Sequence, residues 1–317
     1  MKTHAYPRLL LISLLSVCTA LHIQAQAVLP DSTDIVLPEG MTAEMDSLLM
    51  EWTNRNYLIP EGDCTDNGIN PEFDKETYVR RLSHLPNTIE MPYNEIVRQY
   101  IERYMGRLRR SVAIMLGSSN FYNPIFEEAL EAYQVPLELK YLPVIESALN
   151  PTAVSRAGAV GLWQFMITTG KQYGLEVTSL VDERRDPVKA SYAAAHYLKD
   201  LYDIFGNWTL AIASYNCGPG NVRKAISRAG GVKDYWAIYP YLPAETRGYV
   251  PAFIAANYAM NYYCDHNICP IGTTLPANTD TVRVLHNLHV SQIVAVCNVK
   301  AEEVRALNPE YRTDQIG

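Results

Sequence analysis

The feature that most constrains the fold is a long run of short helical segments between residues 93 and 263. Apolar residues recur there at helical spacing, and almost no stretch alternates as a strand does. Glycine and proline residues separate the segments. The predicted helices are 93–116, 124–133, 136–149, 162–173, 187–205, 208–215, 221–228 and 249–263. The sequence therefore predicts an all-α domain.

Several of these helices carry boundary signals. Pro136 and Pro187 stand where a first helical residue is expected, and Asp186 precedes Pro187 as an N-cap. Gly174 and Gly206 stand where helices of this kind stop. We therefore expect short helices that are joined by tight turns.

Size and charge limit the function classes. A chain of 317 residues with 48% hydrophobic residues can bury the core of one large domain or two smaller ones. Its net charge of −7 argues against a nucleic-acid binder, because such proteins normally carry a basic surface for the phosphates. Composition allows an enzyme but does not identify one.

The N-terminal residues 1–27 read as a secretory signal. Lys2 and Arg8 precede an apolar run, and Ala25-Gln26-Ala27 forms a cleavage site. Cys18 offers lipidation as a competing outcome, although Val17 stands where a small residue is expected before a lipidated cysteine. No later stretch approaches the ~20 apolar residues that span a bilayer. We expect an exported protein of the periplasm or cell envelope, with an outer-membrane or lipid anchor as an alternative.

Two less regular regions flank the helical run. Residues 28–92 are predicted as a linker and lead-in, with a short amphipathic piece at 43–56. The C-terminal residues 278–317, called the tail below, are predicted to hold a strand at 281–285 and helices at 290–296 and 301–307. By itself the tail would be a marginal domain.

Without the signal, an odd number of cysteines remains, so at least one thiol is free or pairs elsewhere. Cys264 and Cys269 are close enough for a small disulfide loop, with two unpaired thiols as the alternative. His266 between them raises a weaker metal-site reading, but no second ligand pair with zinc spacing follows. No metal is predicted. The remaining cysteines after residue 27 are Cys64, Cys217 and Cys297.

Glu146 is the candidate catalytic residue. Leu142 and Leu149, at i−4 and i+3, are predicted to share its helical face, and most of its other neighbours are apolar. A carboxyl in such surroundings loses water, which raises its pKa and keeps it protonated near neutral pH. A proton donor for a glycosidic oxygen needs that property. Taken alone, however, a glutamate near a helix end is more often structural.

Three further motifs offer ligand-binding groups. Gly158 and Gly161 allow close approach of a ligand, Trp163 offers a stacking face, and Gln164 can both donate and accept hydrogen bonds. Each motif also has a structural reading as a helix end, a turn or a core aromatic residue. The remaining candidates are Tyr215, Asn216 and Tyr249.

In this order the motifs resemble the catalytic domain of the lytic transglycosylases of the SLT-domain family, specifically the branch of membrane-bound lytic murein transglycosylases of type D. The resemblance covers about 93–263. It implies a lysozyme-like, goose-type helical catalytic domain at 93–270 with a core at about 121–265. The family's motifs fall on Glu146-Ser147, Gly161-Leu162-Trp163-Gln164, Tyr215-Asn216 and Tyr249. Ser214 and Cys217 depart from the residues usual beside Tyr-Asn.

The resemblance implies that Glu146 is a single acid/base that needs no cofactor. It would protonate the oxygen between N-acetylmuramic acid and N-acetylglucosamine in peptidoglycan. The muramic 2-acetamido group would stabilise the positive centre, and the 6-hydroxyl would close a 1,6-anhydro ring without water. Tyr215 and Asn216 would shape the pocket, and Gln164 would hold the acetamido region or Glu146. The resemblance also gives Ser147 and Tyr249 a supporting role.

The tail is similar to part of a LysM module, a small peptidoglycan-binding unit. Leu285-His286-Asn287 replaces the usual Gly-Asp-Thr turn, and the closing strand is expected beyond Gly317. The prediction is a degenerate LysM-like piece that binds glycan.

Two other functions compete with this interpretation. A goose-type muramidase would deliver water to the same bond, and a non-catalytic envelope scaffold would only bind peptidoglycan. Ordinary glycosidases use two carboxylates. Asp182, Glu183 and Asp186 read better as the ion-paired start of a helix, beside two arginines, than as a second catalytic group.

Overall fold

A computed structural model describes residues 36–42, 59–60, 68–273, 275–276 and 279–316. These residues are mainly helical, as predicted. The α-helices are α1 (Lys75–His84), α2 (Glu95–Met105), α3 (Arg109–Ala132), α4 (Leu142–Ser147), α5 (Ile167–Gln172), α6 (Pro187–Phe205), α7 (Trp208–Cys217), α8 (Pro219–Arg228), α9 (Tyr235–Ile238), α10 (Ala244–Tyr262), α11 (Val290–Cys297) and α12 (Ala301–Leu307). Short 3₁₀ helices lie at Glu39–Met41, Leu137–Tyr141, Tyr239–Tyr241 and Cys264–His266.

The strands are short and pair in antiparallel twos. They are β1 (Ile59–Pro60), β2 (Ile271–Gly272), β3 (Leu288–His289) and β4 (Gln315–Ile316). β1 pairs with β2, and β3 pairs with β4. Neither pair forms a layer of the fold, so the helices build the core.

The core lies between the longest helices. Helix α10 packs against α2 and α7, while α3 packs against α6. The middle of helix α7 is enclosed, because its residues from Leu210 to Ser214 have no exposed surface. A helix that is apolar on all sides must be surrounded by others. Tyr215 and Asn216 follow at the C-terminal end of α7, where the helix becomes half-buried.

The prediction for α6 is confirmed at both ends. The Asp186 carboxylate accepts hydrogen bonds from the N–H groups of Val188 and Lys189, at 2.9 and 3.0 Å. At the other end, Gly206 takes a left-handed conformation, with φ of 65°. Local capping chemistry sets these boundaries, so sequence suffices to predict them.

The predicted boundary between the helices at 93–116 and 124–133 is wrong, because the structure divides this region into α2 and α3. The chain breaks at Gly106, whose φ and ψ of −100° and −93° are not helical, and α3 then continues through Pro124. Gly117 does not end the helix. A Cβ there would come within 1.7 Å of the Ile271 carbonyl oxygen, so this glycine allows β2 to lie against α3.

Three other predicted helices differ from the structure. The segment 136–149 is a 3₁₀ helix followed by α4, which ends at left-handed Ala148 and Leu149 with φ of 51° and 61°. Leu149 is therefore not on the helical face of Glu146. Most of 162–166 is a turn that precedes α5. Helix α10 begins at Ala244, so Tyr249 lies inside it and not at its head.

Parts of the lead-in are packed, which corrects the linker prediction. Helix α1 lies within it, and Met41 is fully buried against the core. The amphipathic piece at 43–56 and the predicted signal at 1–27 lie outside the described residues.

The tail has both predicted helices, α11 and α12. The predicted strand at 281–285 is wrong, because β3 begins at Leu288. A closing strand was expected beyond Gly317, but β4 already pairs with β3 before that residue.

Both predictions for Cys264 and Cys269, a disulfide between them or two unpaired thiols, are wrong. Cys269 is disulfide-bonded, whereas Cys264, Cys217 and Cys297 are free. The metal reading of His266 also fails. This histidine is buried, and its ring nitrogens contact Tyr258 Oη at 3.0 Å and Asn70 Oδ1 at 2.9 Å. Within the described residues, no group of His, Cys, Asp and Glu could hold a metal ion.

None of the helices in the described residues combines the length and apolar character that crossing a bilayer would require.

Candidate active site

Glu146 lies near the C-terminal end of the short helix α4, just before the chain turns through Ala148 and Leu149. Its side chain is half-buried, and loss of water raises the pKa of the carboxyl to about 8. A carboxyl with this pKa holds its proton at neutral pH. The raised pKa expected from the sequence is thus present, although α4 is shorter than predicted.

The hydroxyl of Tyr249 donates a hydrogen bond to Oε1 of Glu146. This tyrosine comes from α10 and is 1% exposed. The hydrogen bond lowers the pKa of Glu146, in opposition to the larger effect of burial, because it stabilises the charged form. Tyr249 thus touches the carboxyl directly, which is a closer relation than the supporting role implied by resemblance.

Tyr215 approaches from the end of α7. Its hydroxyl donates to the backbone carbonyl of Trp163 at 2.7 Å. Burial raises the pKa of Tyr215 well above its ordinary value, and the neighbouring Glu146 adds to the rise. Both Tyr215 and Tyr249 therefore remain protonated donors at every pH where the fold is expected to work.

Ser147 links α4 to the following loop. Its hydroxyl hydrogen is shared between the carbonyls of Pro143, at 3.1 Å, and Leu162, at 2.9 Å, and the side chain is fully buried. The serine therefore fastens the loop at 161–164 beside Glu146 and does not face a ligand.

The role predicted for Trp163 is wrong. The side chain is fully buried, stands edge-on to Phe126 and donates from Nε1 to the Ser191 hydroxyl at 2.9 Å. A ring so enclosed cannot stack on a sugar. The sequence could not distinguish the two outcomes, because a tryptophan suits a core and a carbohydrate cleft equally well.

Gly161 has the left-handed conformation that a glycine favours, with φ of 88°. A Cβ at this position would lie 1.8 Å from the Arg184 carbonyl oxygen. The close approach predicted here is therefore made by the protein's own backbone and not by a ligand.

Gln164 turns its amide inward, with a backbone φ of 48°. Nε2 donates to the Gly161 carbonyl at 2.8 Å and to the Ala153 carbonyl at 3.4 Å. Between the described Gln164 and Glu146 there is no hydrogen bond. The amide thus braces the loop, and the predicted contact with Glu146 is absent.

Asn216 connects α7 to the first turn of α10. Its Oδ1 accepts from the Thr246 hydroxyl at 2.8 Å, and its Nδ2 lies 3.5 Å from a Glu245 carboxylate oxygen. The side chain is half-buried. Asn216 therefore holds the two helices that supply Tyr215 and Tyr249 in register.

Two acidic residues near Glu146 were missed by sequence reasoning. Glu245 and Glu39 both raise the pKa of Glu146 through their negative charge. Glu245 precedes Tyr249 by one helical turn, so the i, i+4 spacing could have revealed it. Glu39 lies far away in sequence and carries no comparable signal.

The acidic cluster after Val181 is ion-paired, as predicted. Asp182 contacts Arg184 at 2.8 Å and Arg312 at 2.8 Å, and Glu183 contacts Lys189. These carboxylates are committed to arginine and lysine partners. The arrangement gives them a structural function.

These elements define a site in which one carboxyl of raised pKa, from α4, accepts a hydrogen bond from Tyr249 of α10 and lies near Tyr215 of α7. Residues 123–238 match the transglycosylase SLT domain. The resemblance predicted from the sequence motifs is confirmed.

The chain is similar to several lytic transglycosylases. It is 34% identical over 213 residues to membrane-bound lytic murein transglycosylase D of Escherichia coli, a match that covers 66% of this chain and 45% of that protein. It is 32% identical over 151 residues to the soluble lytic murein transglycosylase of Escherichia coli, covering 45% of this chain and 23% of that protein. The chain thus spans less than half the length of these relatives.

Among solved structures, the chain is similar to the 70 kDa soluble lytic transglycosylase of Escherichia coli. The identity is 31% and the TM-score 0.39, over 46% of this chain and 25% of that one.

Proposed function

We propose that this chain cleaves the glycan strands of peptidoglycan as a lytic transglycosylase, with Glu146 as its acid/base. One observation carries the proposal: the Glu146 carboxyl has a pKa of about 8 and accepts a hydrogen bond from Tyr249. A general acid must hold its proton at the working pH, and a group with this pKa does so. The domain match and the murein-cleaving relatives support the substrate class.

The reaction has two proton transfers through one carboxyl. Glu146 gives its proton to the oxygen between N-acetylmuramic acid and N-acetylglucosamine as the glycosidic bond breaks. The muramic 2-acetamido group stabilises the positive centre. Glu146, now a carboxylate, takes the proton of the 6-hydroxyl, whose oxygen closes the 1,6-anhydro ring. The enzyme returns to its starting state and no water is consumed.

The tyrosines support the middle of this cycle. When Glu146 is ionised, the Tyr249 hydroxyl donates to the carboxylate and stabilises it. Because the pKa of Tyr249 is raised well above its ordinary value, the tyrosine keeps its proton throughout. Tyr215 and Asn216 hold the pocket's shape through their contacts with Trp163 and Thr246.

A hydrolytic muramidase is the second candidate, and one observation favours it. Glu245 and Glu39 lie near enough to Glu146 to raise its pKa, so more than one carboxylate borders the site. A second carboxylate could activate a water in an inverting hydrolase. Against this stands the domain match, which is to the transglycosylases.

Product analysis distinguishes the candidates. Purified sacculi are digested with the wild type, with Glu146→Gln and with Glu90→Gln, an exposed acidic residue in the α1–α2 loop. Mass spectrometry of the released muropeptides should detect 1,6-anhydro ends from the wild type and Glu90→Gln. Glu146→Gln should lose about 10³-fold or more in rate, because the proton donor is gone.

Three results would contradict the proposal. Reducing ends in place of anhydro ends would identify a hydrolase. Full digestion by Glu146→Gln would remove Glu146 from the mechanism altogether. A wild type that binds sacculi without releasing fragments would favour the non-catalytic scaffold.

We further propose that the protein acts in the cell envelope, where its polymer substrate lies, after removal of residues 1–27. An anchor at Cys18 is the alternative. The mass of the mature N-terminus distinguishes a cut after Ala27 from a lipidated Cys18. The tail is proposed as a degenerate LysM-like glycan binder, which a sacculus pull-down with and without residues 278–317 would test.

A further inference from the structure

A short N-terminal segment, residues 36–42, packs against the helix α4 that carries Glu146 and is called the strap below. It contains the 3₁₀ turn Glu39–Met41, and the Met41 side chain is fully buried in the core. The Tyr100 hydroxyl donates to the Val36 carbonyl at 2.8 Å. A Cβ on Gly248 would come within 2.2 Å of that same carbonyl oxygen. The strap is therefore packed tightly at both ends.

The middle of the strap touches the backbone of the catalytic residue. A Cβ at Gly40 would stand 2.4 Å from the Ile145 carbonyl oxygen and 3.0 Å from the Glu146 nitrogen. Real side chains do not approach a backbone so closely. Glycine at position 40 thus permits the strap to lie directly on the end of α4.

This contact places the neighbouring Glu39 beside the site. Its carboxylate oxygen Oε1 accepts from the Arg156 backbone N–H at 3.3 Å. Arg156 belongs to the loop that continues to Gly161 and Gln164. The strap therefore meets two parts of the site: Gly40 lies on the end of α4, and Glu39 binds the loop at 153–164.

We propose that the strap is a working part of the active site and that Glu39 is a positioning residue, which brings a carboxylate to the Glu146 end of α4 and holds the loop at Arg156. The inference rests on the proposed function of Glu146 as a general acid. Glu39 acts through another residue and is not assigned contact with substrate.

Several charged or titratable groups face Glu146. Tyr249 from α10 donates a hydrogen bond that lowers the pKa of Glu146, while Glu245 from α10 and Glu39 from the strap raise it through like-charge repulsion. Tyr215 from α7 adds a protonated hydroxyl nearby. Glu39 is therefore one of two carboxylates that oppose the ionisation of Glu146, and the strap supplies it.

The test is the pH profile of kcat/KM for Glu39→Gln. Removing the negative charge makes the ionised form of Glu146 less costly, so the pKa of Glu146 falls and the alkaline limb moves to lower pH. We expect a shift of about 0.5 pH unit, or a loss of about threefold in activity on that limb, as suits a partly exposed charge pair. A purely structural role would lower activity at every pH without moving the limb.

Two variants serve as controls. Glu39→Asp keeps the charge and should leave the alkaline limb near its wild-type position. Glu90→Gln removes an equal charge from a distant exposed loop and should not shift the limb. If Glu39→Gln and wild type have the same alkaline limb, or if Glu90→Gln shifts it equally, the proposal is wrong.

A direct titration separates this inference from the proposed function. Carbon-13 NMR of carboxyl-labelled glutamate reads the pKa of Glu146 without substrate, with Glu146→Gln assigning the signal. A lower pKa in Glu39→Gln supports the strap even if wild type forms no anhydro product. An unchanged pKa overturns the strap even if wild type is a fully active transglycosylase.

Discussion

The hydrogen bond between Tyr249 and Glu146 joins two groups with opposite requirements for protonation. In the proposed reaction Glu146 gives up a proton and later recovers one, whereas Tyr249 keeps its own. Burial raises both pKa values, that of Glu146 to about 8 and that of Tyr249 well beyond any working pH. One desolvated environment thus serves an acid that titrates and a donor that does not.

Tyr249→Phe should move the alkaline limb of kcat/KM to higher pH. The lost hydrogen bond stabilised the ionised carboxyl, so its removal raises the pKa of Glu146 and extends the acid form upward. The rate should also fall about tenfold, since a charge-assisted hydrogen bond of about 1.5 kcal/mol is lost.

The control is Tyr241→Phe, which alters a tyrosine that is 44% exposed. Its profile should match that of the wild type. A Tyr249→Phe limb that moved to lower pH would contradict the hydrogen bond's direction of effect.

At this scale the sequence predicts Glu146 as the catalytic residue because its neighbours along the chain are apolar and its motif is distinctive. Sequence reasoning did not distinguish Trp163, a core residue, from a ligand-facing aromatic. It also missed Glu39, because the charge that acts on Glu146 comes from a residue brought near only by folding.

At the scale of elements, the turn at 158–164 is held by both the side chain and the backbone of Arg184. Arg184 donates from its guanidinium to the carbonyls of Gly158 and Phe165, at 3.2 and 3.1 Å. Its own carbonyl oxygen lies where a Cβ of Gly161 would be. The turn that carries Gln164 is therefore fixed by the segment that precedes α6.

Gly161→Ala should destabilise the fold more than Gly158→Ala. Both glycines have left-handed backbones, with φ of 88° and 86°. Only at Gly161 would the added Cβ meet another atom within 4 Å. We expect a cost of about 1–2 kcal/mol for Gly158→Ala and about 3–4 kcal/mol for Gly161→Ala, measured by urea unfolding.

The pair is its own control, because the two variants share the conformational cost and differ in the contact. Equal losses would mean that the Arg184 backbone yields at no cost and that Gly161 is present for its conformation alone.

Helix boundaries divide into those that sequence can predict and those that it cannot. The ends of α6 follow from Asp186 and Gly206, which act on their immediate neighbours. The continuity of α3 through Gly117 does not follow, because that glycine serves a contact with β2 more than 150 positions away, a range where local propensity carries no information.

At the scale of the whole molecule, the tail is attached to the catalytic domain by an antiparallel bridge. Val181 pairs with Tyr311, the Asp182 N–H donates to the Glu310 carbonyl at 2.9 Å, and the Arg312 N–H donates to the Leu180 carbonyl at 2.9 Å. The buried Asp182 carboxylate also accepts from Arg312 at 2.8 Å.

Asp182 ties this attachment to the active-site loop. Its carboxylate binds Arg312 from the tail and Arg184, which holds the loop at 158–165. Burial raises the pKa of Asp182, but the two arginines together lower it by more, so the net pKa lies below its ordinary value. The ion pairs thus contribute above pH ~4 and are lost as pH falls through the lowered pKa.

Arg312→Gln should loosen the tail without unfolding the catalytic domain. Because Arg312 is 37% exposed, we expect a loss of only about 1 kcal/mol, which corresponds to about fivefold faster hydrogen exchange at the amides of positions 182 and 312.

Arg305→Gln is the matched control, since Arg305 pairs with Asp314 inside the tail at 2.8 Å. It should leave the two bridging amides unchanged. Equal exchange rates in both variants would mean that the backbone bridge holds the tail without help from Asp182.

The sequence by itself determined the helical class, the ends of α6 and the match to the SLT domain, and it predicted Glu146 as the catalytic residue. Each of these depends on periodicity, capping or a motif, which act over a few neighbouring positions. Only the tertiary structure decided that Trp163 belongs to the core, that Gly161 and Gly117 admit backbone contacts, that the tail docks on Asp182 and that the strap brings Glu39 to the site. These outcomes depend on contacts between distant parts of the chain, which no local pattern encodes.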